Sequence, residues 1–394
     1  MDFTVSRPEL YEALQKVVGV VPQKTTISIL TCILMELKGN RLSLTGTDLE
    51  ISTTLSLDVD GAEDGVVAIP AKLFVEIVRE LPNTPLNINS DAGDKIVIKT
   101  EKGEYKISAQ PKEDFPKINV EEGEFVFQLD GELLYRLTSK TIFAVSSDEL
   151  RPALTGIYVE ISPNELRFVG TDGHRLARYI YKNFQAGPDV QNNLIIPTKA
   201  LNLMLRNLED NKNVEIQIGE DHVVFRLQDA IIYSKLISGT YPNYERVIPT
   251  GNDKTLRINR EILVSTLRRV SIFSSSLTHQ VRMVLTPAEM TIHSEDIEFG
   301  AEAKEVMPVA FSDEWLQVGY NSNYLMDILR HIDSEELVFE LKDSSSAVII
   351  HPVQHNKDED IVMLLMPIRL NEEEAVESEP EEDISSDDTD VDFE

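Results

Sequence analysis

Two kinds of hydrophobic periodicity alternate along this chain. Between short segments in which apolar and polar residues alternate, six segments carry apolar residues at helical spacing, as Leu10, Leu14 and Val17 do in the first. The six predicted helices are Arg7–Val18, Lys72–Leu81, Gly131–Ile142, Thr198–Glu209, Asn259–Ser271 and Asn323–His331. Alternating segments linked by short turns are typical of antiparallel strands. The pattern therefore predicts an α+β fold in which helices cover one face of antiparallel sheets.

One strand–turn–strand pattern occurs three times. Its copies read LSLTGTDLEISTTL, LRFVGTDGHRLARY and MTIHSEDIEFGAEA, and their acids Asp48, Asp172 and Asp296 are 124 residues apart. The flanking helices and strands repeat with them. We therefore predict three copies of one domain, at residues 1–122, 123–251 and 252–370, each with two helices.

The three repeated aspartates allow two interpretations. A metal site, and with it a metal-dependent nuclease, would need carboxylates that converge, but these lie on separate copies of the domain. An aspartate in a tight turn more commonly accepts hydrogen bonds from the backbone of that turn, and we favour this role. Asp172-Gly173-His174 offers a carboxylate beside an imidazole, which we expect to be structural or a surface contact.

The charge of the chain initially argues against a nucleic-acid protein. The formal net charge is −31, and residues 371–394 hold 13 acids without Lys or Arg, which predicts a disordered acidic tail. The six predicted helices together carry +4, and the remaining residues outside the tail carry −22. This contrast can arise by chance, or it indicates helices that face an anionic partner.

Several classes of protein find no support in the sequence. No stretch of 18 apolar residues predicts a transmembrane helix, and the start lacks a secretory pattern. The single cysteine, Cys32, favours a reducing, cytoplasmic compartment. We find no phosphate-binding glycine loop, no nucleophile elbow and no zinc motif, and therefore expect no catalytic residue, cofactor or metal.

Seven short motifs, in order along residues 1–370, resemble one family. They are FTVSRPELYEALQKVVGVV, TDLEI, EDFPKI, TDGHRLA, YPNYERVIP, GYNSNYLMDIL and MPIRL. Together they are similar to the bacterial DNA polymerase III beta subunit, the sliding clamp. The resemblance implies a head-to-tail homodimeric ring with helices lining a pore and sheets outside. It also implies a cytoplasmic, non-catalytic DNA replication protein that encircles double-stranded DNA without reading its sequence and acts as a processivity factor. The partners it implies are the DNA polymerase III alpha subunit, the clamp loader and other proteins with clamp-binding motifs.

The resemblance also implies three groups of site residues. Lys24, Arg151 and Lys199 match DNA-facing positions of the family, and helix placement adds Lys72, Arg79, Arg136, Lys140, Arg206, Arg268 and Arg269. The cleft for partner peptides, between the second and third domains, would be formed by Leu154, Thr171, Gly173, His174, Arg175, Leu176, Pro242, Arg246, Val247, Asn321, Tyr324, Leu364, Leu365, Met366, Pro367, Ile368 and Arg369. The dimer interface would include Tyr105, Ile107, Ile272 and Phe273. Solvated charges and core packing are the simpler explanations for single members of these groups.

Three features depart from the family pattern. Thr278 replaces an aromatic residue of some relatives at the cleft, and Ala347 replaces a serine. The tail begins directly after Arg369-Leu370, and its end, Asp390–Phe393, faintly resembles a clamp-binding peptide. We hypothesise that the tail screens or transiently occupies the cleft, with a plain solubility tail as the alternative. A repeat scaffold that binds only peptides, without DNA, is the second alternative to a clamp.

Overall fold

The computed structural model describes residues 1–91, 95–118, 125–187, 190–208, 212–354 and 356–370. The predicted tail, residues 371–394, lies outside them. The chain divides into two compact units, Met1–Asn243 with 355–362 and Tyr244–Gln354 with 363–394. The division falls inside the last strand.

In the described residues, six α-helices form at the predicted places. They are α1 (Arg7–Val18), α2 (Ala71–Glu80), α3 (Gly131–Ile142), α4 (Thr198–Asn207), α5 (Arg260–Val270) and α6 (Ser322–Arg330). The bounds of α1 and α3 are as predicted, and the others differ by one or two residues. Asp130, Asn259 and Asn321 cap α3, α5 and α6 by accepting backbone N–H groups of the first turn. A polar residue at the N-cap explains why α5 and α6 begin where they do.

Twenty-six strands are described between and beside the helices. In the first unit they are β1 (Asp2–Ser6), β2 (Cys32–Lys38), β3 (Arg41–Thr47), β4 (Ile51–Asp58), β5 (Asp60–Glu63), β6 (Gly65–Pro70), β7 (Pro85–Asp91), β8 (Lys95–Lys99), β9 (Glu104–Ser108), β10 (Phe125–Asp130), β11 (Gly156–Ser162), β12 (Glu165–Thr171), β13 (Arg175–Tyr181), β14 (Asn192–Pro197), β15 (Asn213–Ile218), β16 (His222–Arg226) and β17 (Ala230–Lys235). In the second unit they are β18 (Lys254–Asn259), β19 (Gln280–Leu285), β20 (Glu289–Asp296), β21 (Ala301–Pro308), β22 (Ala310–Phe311), β23 (Leu316–Asn321), β24 (Glu336–Leu341) and β25 (Val348–Pro352). The last strand, β26 (Glu359–Leu365), belongs to both.

The first unit contains a sheet that joins two copies of the repeat. Its order is β10-β15-β16-β17-β4-β3-β2-β6, so β17 of the second copy pairs with β4 of the first. A second sheet has the order β5-β1-β7-β8-β9, and β14-β11-β12-β13 follow one another in a third. All of the described pairings are antiparallel, which confirms the predicted α+β class.

The second unit repeats the arrangement with fewer strands. β21-β20-β19-β23 form one sheet, and residues 363–365 of β26 continue into β25, β24, β18 and β22 in another. Among the described strands, β9 and β21 each lie at the edge of their sheet and pair on one side only.

The apolar faces of helices and sheets form the cores. In the first copy Leu10, Leu14 and Phe74 from the helices are fully buried against Ile33 and Leu42 from the strands. The equivalent helices of the second copy bury Leu134, Leu137 and Leu201. Burial of such side chains contributes about 1.5–3 kcal/mol each, which holds the helices on the sheets. In the described part of the chain, no helix is long and apolar enough to cross a membrane.

Candidate functional site

The three repeated aspartates each cap a turn, as predicted. Asp48 accepts the backbone N–H groups of Glu50 and Ile51 at 3.1 and 2.8 Å. In the second copy Asp172 accepts those of His174 and Arg175 at 2.8 and 2.9 Å. Asp296 does the same two and three residues on, at 3.1 and 3.4 Å. The acids thus fix the connection between paired strands. No group of three or more His, Cys, Asp or Glu side chains in the described ranges is arranged to hold a metal ion.

The second turn is further braced by its neighbours. The hydroxyl of Thr171 donates to the carbonyl of Arg175 at 2.7 Å and accepts from the N–H of Gly173 at 3.1 Å. The Arg175 guanidinium forms an ion pair with the free oxygen of Asp172 at 3.1 Å, and it lies over the ring of Phe143. Sequence reasoning missed Phe143, for which the motif gave no indication. The turn therefore presents a rigid backbone.

The backbone conformation at position 173 explains why a glycine occupies it. Its φ is +89°, in the left-handed region that side chains disfavour, and the residue is exposed. A Cβ atom built there would lie 3.6 Å from the nearest atom, the guanidinium of Arg151. Backbone strain therefore selects glycine here, because the space around it is open.

The other cleft residues predicted in the first unit divide by exposure. Leu154 and Leu176 are 8% and 1% exposed, which fits core packing. His174 and Pro242 are exposed. The ring of Tyr241, the residue before Pro242, stacks on that of Tyr158 at 4.6 Å between centroids. The exposed residues are available to a ligand, whereas the two leucines support the surface from below.

In the second unit, the predicted cleft residues follow the same division. Leu364 and Leu365 are buried in β26, whereas Arg246, Val247, Met366 and Arg369 are exposed. Asn321 caps α6 and also donates from its side-chain amide to the carbonyl of Thr278 at 3.0 Å. Tyr324, Pro367 and Ile368 are half-buried, and the N–H of Ile368 donates to Gly319 at 2.8 Å. Met366 and Val247 therefore present the accessible apolar surface of this group.

Two of the three departures from the family pattern, Thr278 and Ala347, lie among residues that the structure describes. Thr278 is exposed and lines a cavity of about 240 Å³ together with Arg282, His293 and the third aspartate turn. Ala347 is buried, and its carbonyl accepts from the side chain of Asn252 at 3.0 Å. A hydroxyl at position 347 would thus have entered a packed environment.

Several of the ten basic residues expected to face DNA have anionic partners within the chain. Arg79 pairs with Glu80, Arg151 with Asp148, Lys199 with Asp48 and Arg269 with Glu305. Arg136 is half-buried and donates to Glu359 at 3.0 Å, and Lys140 is 9% exposed. This placement does not favour a phosphate contact by Lys140.

The remaining four basic residues are exposed. Lys24, Lys72, Arg206 and Arg268 form no ion pair within the ranges that the structure describes. Lys24 follows α1, and the other three lie on α2, α4 and α5. By formal charge, the six helices as observed carry 0, 0, +1, +2, +2 and 0, in contrast to the acidic remainder of the chain. Unpaired cations on a helix are available for phosphate.

The residues predicted at the dimer interface lie on or near the two sheet edges. Tyr105 is 40% exposed on β9, whereas Ile107 is 2% exposed and belongs to the core of the first copy. Ile272 and Phe273 follow α5 and are 77% and 38% exposed. Exposed apolar side chains of this size next to an open edge strand are typical of an interface.

The structure contains a buried polar cluster that the sequence did not predict. The Tyr179 hydroxyl and Arg136 both donate to Glu359 in β26, and burial, together with this carboxylate, raises the pKa of Tyr179. Next to it, Arg178 and Lys182 donate to Asp360 at 3.0 and 3.3 Å. Burial acts to raise the pKa of Asp360, but the two cations outweigh it and hold this pKa below its ordinary value. Partners about 180 residues apart leave no pattern in a sequence.

The chain matches the three domains of one protein family. Residues 1–119 match the DNA polymerase III beta subunit, N-terminal domain, residues 128–243 its central domain, and residues 245–369 its C-terminal domain.

Individual proteins match over nearly the whole chain. The beta sliding clamp of Chlamydia muridarum is 32% identical over 373 residues, which is 95% of this chain and 100% of that protein. The beta sliding clamp of Pseudomonas aeruginosa is 32% identical over 372 residues, 94% of this chain and 100% of that one. A crystal structure of the latter organism's DnaN sliding clamp bound to griselimycin matches with a TM-score of 0.88 at 32% identity, over 94% of this chain and 100% of that chain. A griselimycin-bound clamp from Bartonella birtlesii gives a TM-score of 0.89 at 31% identity, with the same coverage.

Proposed function

The chain belongs to the DNA polymerase III beta subunit family, the beta sliding clamps, and we propose that two copies close head to tail into a ring around duplex DNA. It is a non-catalytic processivity factor built from three clamp domains. As limits of these domains we propose residues 1–122, 123–251 and 252–370. We further propose that it works in the cytoplasm, where the buried Cys32 would remain reduced.

The observation that carries the ring is the pair of open sheet edges. Within the first unit, β17 of the second copy pairs with β4 of the first and makes one sheet of two domains. β9 and β21 occupy the corresponding positions at the outer ends of the repeat, and each has one free side among the described strands. A repeat whose neighbours join by edge strands closes when the two terminal edges meet on another copy.

The helices supply the surface that we propose to face DNA. Lys24, Lys72, Arg206 and Arg268 are exposed and form no ion pair in the described parts of the chain. Such cations attract phosphates without reading bases, which a protein that slides on DNA requires. The acidic remainder would repel DNA from the other surfaces. Arg79, Arg136, Arg151, Lys199 and Arg269 would have to exchange a carboxylate partner for phosphate.

We propose the second aspartate turn as part of a cleft for peptides of the polymerase III alpha subunit, the clamp loader and other partners. In the first unit, its braced backbone and the exposed His174 support this role. In the second unit, Val247 and Met366 present exposed apolar side chains of the kind that such a role requires. An adaptable methionine at such a surface fits leucine or phenylalanine anchors. We also propose that the acidic tail screens or transiently occupies this cleft. Deletion of residues 371–394 should then change the affinity for such a peptide at low salt, and an unchanged affinity would contradict the proposal.

A topological experiment tests the ring. Protein loaded by its clamp loader on nicked circular DNA should stay bound at a salt concentration that removes ordinary phosphate contacts, and it should leave when the circle is linearised. Arg206→Ala and Arg268→Ala should each load less and depend less steeply on salt, because fewer phosphate contacts release fewer counterions, with Lys342→Ala as the charge-matched control outside the helices. Equal loss from circular and linear DNA would contradict a closed ring, and a stable monomer at micromolar concentration would contradict two chains.

A further inference from the structure

We propose that the two open edges meet in one defined register, in which Glu104 and Lys106 of one copy lie opposite Lys304 and Glu302 of the next. The inference rests on the proposed head-to-tail dimer and adds the pairs of residues that select it. Its basis is the pairing of β17 with β4 within this chain, from which the register of the missing pair is transferred position by position.

β9 aligns with β17. Both strands follow a turn closed by the same backbone hydrogen bond, Thr100 N–H to Gly103 O at 2.9 Å and Leu227 N–H to Ala230 O at 2.8 Å. Gly103 therefore corresponds to Ala230. It follows that Lys106 corresponds to Tyr233.

β21 aligns with β4. Each strand follows an aspartate turn, but the turns differ in length. Thr47, before the first aspartate, pairs with Ser52, whereas Glu295, before the third, pairs with Glu302. The third turn is therefore two residues longer. Glu302, and not the residue two positions earlier, corresponds to Ser52.

The observed register of β17 and β4 then gives the register expected between β9 of one copy and β21 of the next. Within the chain, Tyr233 lies opposite Ser52 and Ile231 opposite Thr54. The same geometry between two copies places Lys106 opposite Glu302 and Glu104 opposite Lys304. The residues between them, Tyr105 and Ala303, become opposite as well.

The charges at these positions agree with the register. All four charged residues are exposed in the single chain, with Lys106 paired to its own Glu104 at 2.7 Å and Glu302 accepting from His293 at 2.8 Å. Two opposite-charge pairs form across the strands, and the exposed ring of Tyr105 meets a small alanine. Such cross-strand pairs stabilise a sheet, whereas like charges directly opposite destabilise it. The surface therefore fits a second copy of this chain.

Charge reversal tests the pairs. Lys106→Glu and Glu302→Lys should each raise the dissociation constant of the dimer at least about tenfold, because each change places like charges together at both interfaces of the ring. The double variant Lys106→Glu/Glu302→Lys should recover most of the loss. Lys342→Glu, which changes the net charge as Lys106→Glu does but belongs to neither β9 nor β21, should leave the dimer unchanged. Sedimentation equilibrium on the full chain gives these constants.

The results of these experiments distinguish a wrong register from a wrong ring. If two β9 edges paired with each other, Glu302→Lys would not rescue Lys106→Glu, and the exchange Glu104→Lys/Lys106→Glu would keep the dimer. If the single variants remain dimeric with wild-type affinity, the register is wrong while the ring stands. A monomeric wild-type protein would contradict the proposed ring itself.

Cysteine pairing provides a second measurement that does not depend on electrostatics. Tyr105→Cys/Ala303→Cys should form a disulfide between copies under a mild added oxidant, because directly opposite residues bring their Cα atoms about 4.5–5.5 Å apart. Tyr105→Cys/Ala301→Cys tests the register shifted by two residues and should not crosslink. The native Cys32 is buried and contributes little background. Preferential crosslinking of the shifted pair would overturn the proposal.

Discussion

The first and second aspartate turns, Thr47–Ile51 and Thr171–Arg175, share a backbone but differ in what they present. Both acids accept two backbone N–H groups, and both turns have a residue of positive φ directly after the acid, Leu49 at +79° and Gly173 at +89°. Leucine in that conformation carries a strain of about 1–2 kcal/mol, and glycine does not. The copy proposed to bind peptides thus has the unstrained, bare backbone.

The partners of the two acids differ as well. The second oxygen of Asp48 is engaged by Lys199 of α4, which also donates to the carbonyl of Val20 at 3.2 Å, so this turn ties the second copy to the first. The second oxygen of Asp172 is engaged by Arg175 of its own turn. One turn therefore serves the joint between domains, and the other retains its outward surface. The shared motif determines the conformation of the turn, and the residues around it determine whether the turn contacts another domain or stays exposed.

The largest effect is expected when the second turn is made like the first. Gly173→Leu should weaken binding of a polymerase-derived peptide at least about tenfold, because the strained backbone shifts and the new side chain occupies the surface left bare. The matched variant Leu49→Gly should leave the affinity within about twofold of wild type. Fluorescence polarisation with one labelled peptide measures both. Wild-type affinity in Gly173→Leu would remove this turn from the proposed cleft.

Removal of the acids tests the feature that the turns share. Asp48→Ala and Asp172→Ala should each lower the free energy of unfolding by about 1–2 kcal/mol, the usual cost of losing a side-chain cap. Asp48→Asn and Asp172→Asn should cost less, since an amide oxygen still accepts from the backbone. Urea denaturation followed on the transition of the first unit measures these differences. An asparagine variant as unstable as its alanine counterpart would show that the ion pairs, and not the caps, dominate.

How far the sequence predicted the molecule depends on the range of the interactions. The helices, the antiparallel strands and the caps of Asp48, Asp172 and Asp296 depend on neighbours a few residues apart, and all were predicted. The burial of Lys140 and the pairing of Arg136 with Glu359 depend on contacts across the fold, which no local pattern contains. Helix placement marks a face but does not show which of its cations are already neutralised.

A smaller effect is expected when Leu49, the residue with positive φ in the first turn, is replaced. Leu49→Asn should raise the free energy of unfolding by up to about 1 kcal/mol, because asparagine tolerates the left-handed conformation and Leu49 is 45% exposed, so little apolar burial is lost. Glu50→Asn, one position later and without a positive φ, is the control and should give no gain. Urea denaturation distinguishes the two. A loss in Leu49→Asn would mean that the leucine side chain contributes more by packing than its backbone costs.

The smallest effect concerns an aspartate turn of the third copy that does not belong to the repeated aspartate motif. Asp343 accepts the backbone N–H and the hydroxyl of Ser345 and of Ser346 at 2.8–3.0 Å, and these hydrogen bonds lower its pKa to about 2. Since the pKa is lower in the folded protein than in the unfolded chain, its ionised form stabilises the fold above about pH 4, and that contribution is lost as the pH falls from about 4 towards 2. Asp343→Asn should therefore melt slightly below wild type at pH 7, and the difference should shrink over that acidic range. A difference in melting temperature that stays constant with pH would show that Asp343→Asn loses stability because one acceptor oxygen is missing, and not because the charge is missing. Asp343 would then resemble Asp48 and Asp172, as a cap whose oxygens contribute more by accepting hydrogen bonds than by being ionised.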